Sequence, residues 1–126
     1  MQEELLYTKT HEWVKLEGEY ALIGITDYAQ RQLGDVVFIE LPQESATVEQ
    51  FQSFGTIEST KAASDLYAPL SGQVVQVNKE LLQHPEWVNQ DPYLKGWMIK
   101  IKIKDREEIK NLLKYEDYQA LLKEQE

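Results

Sequence analysis

One lysine, Lys61, stands among small and weakly polar residues in the stretch Gly55–Gly72, which reads Gly-Thr-Ile-Glu-Ser-Thr-Lys-Ala-Ala-Ser-Asp-Leu-Tyr-Ala-Pro-Leu-Ser-Gly. Glu58 lies three positions before it and Asp65 four after it. An amine held at a loop tip between two strands is a group an enzyme can reach and acylate. Acylation removes the charge and makes the side chain the stem of an attached group. The pattern points to a carrier whose working part is attached to it.

The other chemistry-bearing residues form no competing set. His11 and His84 have no cysteine partner and no His-x-x-x-His spacing, so no metal site is expected. His11 is read as ordering the N-terminal strand. Ser59, Ser64 and Ser71 lack the His–Asp set that activates a serine nucleophile. The glycines make no phosphate-binding loop, and Trp13, Trp87 and Trp97 are read as core packing. No catalytic site is expected in this chain.

A chain of 126 residues suits one domain, here taken as 1–126. Its 22 acidic and 13 basic residues give a net charge of −9, which argues against nucleic-acid and anionic-membrane partners. There is no cysteine, so neither a disulfide framework nor a thiolate site is possible. No apolar run approaches the roughly 20 residues of a membrane span. Met1-Gln2-Glu3-Glu4 lacks the basic start and apolar core of a signal peptide. A cytoplasmic location is expected.

The elements that must position Lys61 are mostly strands. Alternation or β-rich composition predicts them at 12–16, 20–25, 36–41, 54–59, 66–68, 73–77 and 97–104. Thr26 can cap a short helix over 27–33 that Gly34 would stop. Asn78 is read as the cap of a helical turn through Leu81 and Leu82, limited by Pro85. From Asp105 the apolar spacing turns helical, with Asp105 and Glu108 resembling a capping box and a break near Tyr115. A short echo links Gly34–Ile39 with Gly72–Val77, both Gly-polar-Val-Val-x-(Ile/Val), with the lysine between them. The picture is a β-rich domain with small edge helices and a helical C-terminal tail.

These residues carry a family resemblance. Glu58-Ser59-Thr60-Lys61-Ala62, then Ser64-Asp65 and Ala68-Pro69-Leu70-Ser71-Gly72, resembles the lipoylation segment of glycine cleavage system H proteins. Thr10-His11-Glu12-Trp13-Val14 is similar to that family's His-Glu-Trp motif. Gly24 to Gln30, Leu33-Gly34-Asp35, Val37-Phe38 to Pro42, Val77-Asn78, Val88-Asn89, Asp91-Pro92-Tyr93 and Gly96 to Lys100 follow in the family's order. Coverage runs from Leu6 to Leu122. Two departures stand out: 46–52 lacks the glycine often found before Phe54-Gly55, and Thr60 stands where valine is common.

The resemblance implies a mainly β fold, a lipoyl/biotinyl-carrier-like sandwich (hybrid barrel-sandwich). It implies lipoic acid joined to Lys61 as an amide and a non-catalytic shuttle. The shuttle would carry an aminomethyl group from the glycine decarboxylase (P protein) to the aminomethyltransferase (T protein). It would then present the dihydrolipoyl arm to the dihydrolipoamide dehydrogenase (L protein), and lipoylating enzymes would be further partners. Glu12 and Asp65 occupy positions resembling the family's cleft acids. Glu12 would be the main group holding the cargo's amine and Asp65 the second, with a hydroxyl from Thr10 and an apolar wall from Leu33. Glu40, Glu44, Glu58 and Asp65 would steer basic enzyme entrances toward the arm.

Neighbouring carriers match less well. Biotinyl segments have methionine on both sides of the lysine, where this chain has Thr60 and Ala62. Lipoyl domains of 2-oxo acid dehydrogenases lack the His-Glu-Trp start and sit among flexible linkers, of which this chain has none. Within the family, a relay that donates lipoyl groups to 2-oxo acid dehydrogenase carriers is the alternative role.

Overall fold

The computed structural model describes residues 2–125. In chain order the elements are β1 (Leu6–Tyr7), β2 (Glu12–Glu17), β3 (Tyr20–Ile25), α1 (Asp27–Leu33), β4 (Val36–Glu40), β5 (Thr47–Val48), β6 (Ser53–Ser59) and β7 (Ala63–Tyr67). Then come β8 (Gly72–Val77), α2 (Glu80–Gln83), α3 (Trp87–Gln90), β9 (Ile99–Ile103) and α4 (Tyr115–Gln125), with 3-10 turns at Gln2–Glu4 and Arg106–Asn111. Neighbouring strands are antiparallel throughout and form two sheets, ordered β1-β2-β3-β9-β8-β5 and β4-β6-β7. The mainly β sandwich with short peripheral helices and a helical tail, expected from the sequence, is the fold found.

The sheets share an apolar core. Val14, Ile23 and Ile101 from the larger sheet meet Ile39, Ile57 and Leu66 from the smaller. In β9 the period-two pattern works as written, with Ile99 and Ile101 fully buried and Lys102 exposed. A second cluster of Leu5, Tyr7, Trp13 and Tyr118 seats α4 against β1 and β2. The Trp13 ring fits there because residue 24 is glycine; a Cβ at Gly24 would come within 2.6 Å of it.

α1 follows its sequence signals. The Thr26 hydroxyl accepts the Ala29 N–H at 3.2 Å, and Gly34 closes the helix at φ 82°, a left-handed value that favours glycine. Two other expectations change. Asn78 does not cap α2; its amide donates to the carbonyls of Lys95 and Trp97 at 2.9 and 2.8 Å, pinning the approach to β9. Arg106–Asn111 is a 3-10 helix. Asp105 caps it, but Glu108 turns away to accept from the Ser71 N–H and hydroxyl, each at 2.8 Å. The two halves of the Gly-polar-Val-Val echo become β4 and β8, strands of different sheets.

Candidate functional site

β6 and β7 form a hairpin whose turn is Thr60-Lys61-Ala62. Ser59 builds that turn. Its N–H donates to the Ala62 carbonyl at 2.8 Å, and its hydroxyl accepts from the Lys61 and Ala62 N–H groups at 3.2 and 3.0 Å. The Thr60 N–H donates to the Asp35 carbonyl at 3.0 Å, tying the turn to the start of β4. Lys61 is exposed, and its stem passes the C-terminal end of α1. A Cβ added at Gly34 would stand 3.2 Å from Lys61 Cε. The glycine that ends the helix therefore also clears a path for the lysine.

Beside Leu33, the last residue of α1, a cleft of about 190 Å³ opens between α1 and the smaller sheet. Ile25, Ala29, Leu33, Ile57 and Leu66 give it apolar walls. Thr10, His11, Glu12, Ser64 and Asp65 give it polar groups. All four cleft residues expected from the sequence, Thr10, Glu12, Leu33 and Asp65, therefore line one cavity. They differ in setting. Asp65 is exposed on β7 at the rim, whereas Glu12 is 2% exposed.

Glu12 sits at the start of β2, in a tight turn. The Thr8 N–H donates to the Glu12 carbonyl at 3.0 Å, and His11 takes a left-handed φ of 74° to close the loop. Both threonine hydroxyls, Thr8 and Thr10, donate to Glu12 Oε1 at 2.5 Å, and the Tyr67 N–H donates to Oε2 at 3.1 Å. Among the described residues no salt bridge involves this carboxylate. Burial raises the Glu12 carboxyl to about 7, against the opposing pull of those hydrogen bonds. An ionised carboxylate offers about four lone-pair directions, so three donors leave roughly one for a visiting donor.

A second chain of bonds fixes the wall beside Glu12. The Tyr118 hydroxyl lies 2.8 Å from His11 Nδ1 and 2.7 Å from the Thr26 hydroxyl, while its ring stacks on Tyr7 at 4.5 Å. α4 thereby holds both the His11–Glu12 segment and the N-cap of α1. Burial lowers the His11 pKa, with a hydrogen bond to Gln125 acting the other way.

Sequence reasoning missed Thr8, Ser64, the cleft position of His11 and the Tyr67 N–H. Thr8 opens an unbroken polar run, Thr8-Lys9-Thr10-His11-Glu12, whose composition does not single it out. Tyr67 carries no signal, because its contact spans 55 positions. Ser64 can be found only once its pairing with Ile57 puts both on one face of the hairpin.

The chain matches the glycine cleavage H-protein family over residues 5–125. It is 57% identical over 121 residues to the glycine cleavage system H protein of Geobacillus kaustophilus, covering 96% of this chain and 95% of that one. Against the H protein of Carboxydothermus hydrogenoformans it is 54% identical over 122 residues, 97% of this chain and 94% of the relative. The crystal structure of a glycine cleavage system H protein from Mycobacterium marinum superposes with a TM-score of 0.84 at 35% identity, covering 95% of this chain and 97% of that chain. With this agreement in sequence and fold, the chain belongs to the glycine cleavage H-protein family, whose members are non-catalytic carriers that hold lipoate on a lysine and shuttle within the glycine cleavage system.

Proposed function

We propose that Lys61 is the lysine that holds lipoate and that the cleft ending at Glu12 shelters the amine cargo between enzymes. Residues 1–126 act as one carrier domain in the cytoplasm, meeting the P, T and L proteins in turn and a lipoylating enzyme beforehand. Lipoate supplies a reducible disulfide that takes up a one-carbon amine unit. The remaining work belongs to the chain. The Ser59-centred turn presents the Lys61 amine, and Gly34 leaves room for its stem. The cleft is smaller than the roughly 300–1,000 Å³ of free-ligand pockets, which suits the end of a tethered arm.

The observation that carries the reading is the Glu12 carboxylate, buried, triply hydrogen-bonded and without a salt bridge among the described residues. An ammonium entering the cleft would complete it through a charge-assisted bond. The cation would also lower the Glu12 pKa, so the amine and the ionised carboxylate favour each other. Leu33, Ile57 and Leu66 would keep water from the cargo, and Asp65 at the rim would hold the amine as it enters or leaves.

Intact mass spectrometry of chain made in lipoylating cells, with a peptide map of 56–72, tests the attachment. One lipoyl adduct on Lys61, absent from Lys61→Arg, is expected; an adduct elsewhere, or none, would refute it.

A further inference from the structure

The outer face of the β4–β6–β7 sheet carries exposed apolar side chains on its β4 edge beside a set of acids, close to the lysine turn. Phe38, Glu58 and Ala63 pair across the three strands, and Glu40, Thr56 and Asp65 form the next row. Two-residue spacing on every strand puts both rows on one face. Phe38 is 51% exposed, and Val37, at the bulge between Val36 and Phe38, is 54% exposed. Among the described residues, no salt bridge involves Glu40, Glu58 or Asp65. An exposed aromatic flanked by charged groups is the kind of side chain that anchors an interface.

We propose that this face docks the acyl-transfer enzyme that forms the Lys61 amide, through an apolar socket edged by lysine or arginine. Reach selects this occupant. In the coupling step the deprotonated Lys61 amine attacks the carbonyl of lipoyl adenylate. The C–N bond forms, the acyl–phosphate C–O bond breaks, AMP leaves, and the amine's proton passes to a base or water. The reacting nitrogen ends a short aliphatic stem, so the turn itself must be pressed against that enzyme. The Val36–Ser59 pairing and the Thr60–Asp35 hydrogen bond hold the start of β4 beside the turn. Phe38 is then covered in the same encounter. Enzymes met later are reached through the full arm and need not cover it.

The inference rests on Lys61 as the attachment site, and the test separates the two claims. Unmodified chain is incubated with a lipoate–protein ligase, lipoate and ATP, and lipoylation is followed by intact mass. Phe38→Thr, which keeps high strand propensity at that position, should lower kcat/KM about tenfold or more, the loss of an anchoring contact. Phe38→Leu should stay within about threefold of wild type, and Leu94→Thr, exposed on another part of the surface, within about twofold. Raising the ionic strength should slow the wild type. Fully lipoylated Phe38→Thr should be reoxidised by dihydrolipoamide dehydrogenase at the wild-type rate. Wild-type kcat/KM for Phe38→Thr, an equal loss in Leu94→Thr, an equal loss in the dehydrogenase assay, or salt-independent lipoylation would each overturn the inference. Lys61→Arg must gain no mass; if it does, the attachment assignment fails instead.

Discussion

Three donors converge on the Glu12 carboxylate, yet burial still keeps its proton until about neutral pH. The carboxyl rises from 4.5 to about 7 on folding, so between these values the native state binds more protons than the unfolded one. Stability contributed by this group therefore falls as pH rises from 4.5 to 7, by ~3 kcal/mol in order of magnitude. Glu12→Gln should remove that slope, making the variant more stable relative to wild type at pH 8 than at pH 5 in urea titrations. Identical pH dependence in the two proteins would contradict the buried-acid assignment. At this scale the sequence, read with the family resemblance, named four residues that line one cleft, Thr10, Glu12, Leu33 and Asp65, and a lysine, Lys61, that lies in a hairpin turn. It could not supply the burial of Glu12 or the bond from Tyr67, which depend on how the two sheets meet.

Between elements, the Tyr118 hydroxyl bridges α4 to His11 and to the cap of α1. Tyr118→Phe keeps the Tyr7 stacking and loses only that bridge. It should cost about 1–3 kcal/mol in urea unfolding and shift the His11 imidazole resonances in NMR spectra. Unmoved His11 signals would show that the bridge does not form. α1 was legible end to end because a cap, a period and a stop signal agree at Thr26, 27–33 and Gly34. β1 and β5, two residues each, and α3, four residues after Pro85, are too short to show a period. β7 begins at Ala63, ahead of its expected start, because its first three residues are all exposed and carry no alternation. The 3-10 helix at Arg106–Asn111 was hidden because its apparent capping partner, Glu108, is engaged by Ser71 instead.

Across the whole molecule, a net charge of −9 and the row containing Glu40 and Asp65 suit brief encounters with basic enzyme entrances. Of the four acids expected near the arm, Glu44 stands apart: its loop is tied to β8 through the Ser45 N–H and the Val74 carbonyl at 2.8 Å. Association with the glycine decarboxylase should slow as salt rises, by about tenfold between 20 and 200 mM in stopped-flow traces; a flat dependence would remove the steering role. Deleting the gene should abolish glycine cleavage alone if the chain is only a shuttle, whereas loss of lipoyl groups from 2-oxo acid dehydrogenases would assign it the relay role as well. The lifetime of the loaded arm measures whether the fold protects the cargo proposed for Lys61. Loaded wild type and Glu12→Gln should be compared at pH 6 and pH 8 for release of the bound one-carbon amine. Release from wild type should be several-fold slower than from the variant at pH 8, where Glu12 is ionised, with the gap narrowing at pH 6. Equal lifetimes at pH 8 would leave Glu12 with no part in protecting the cargo.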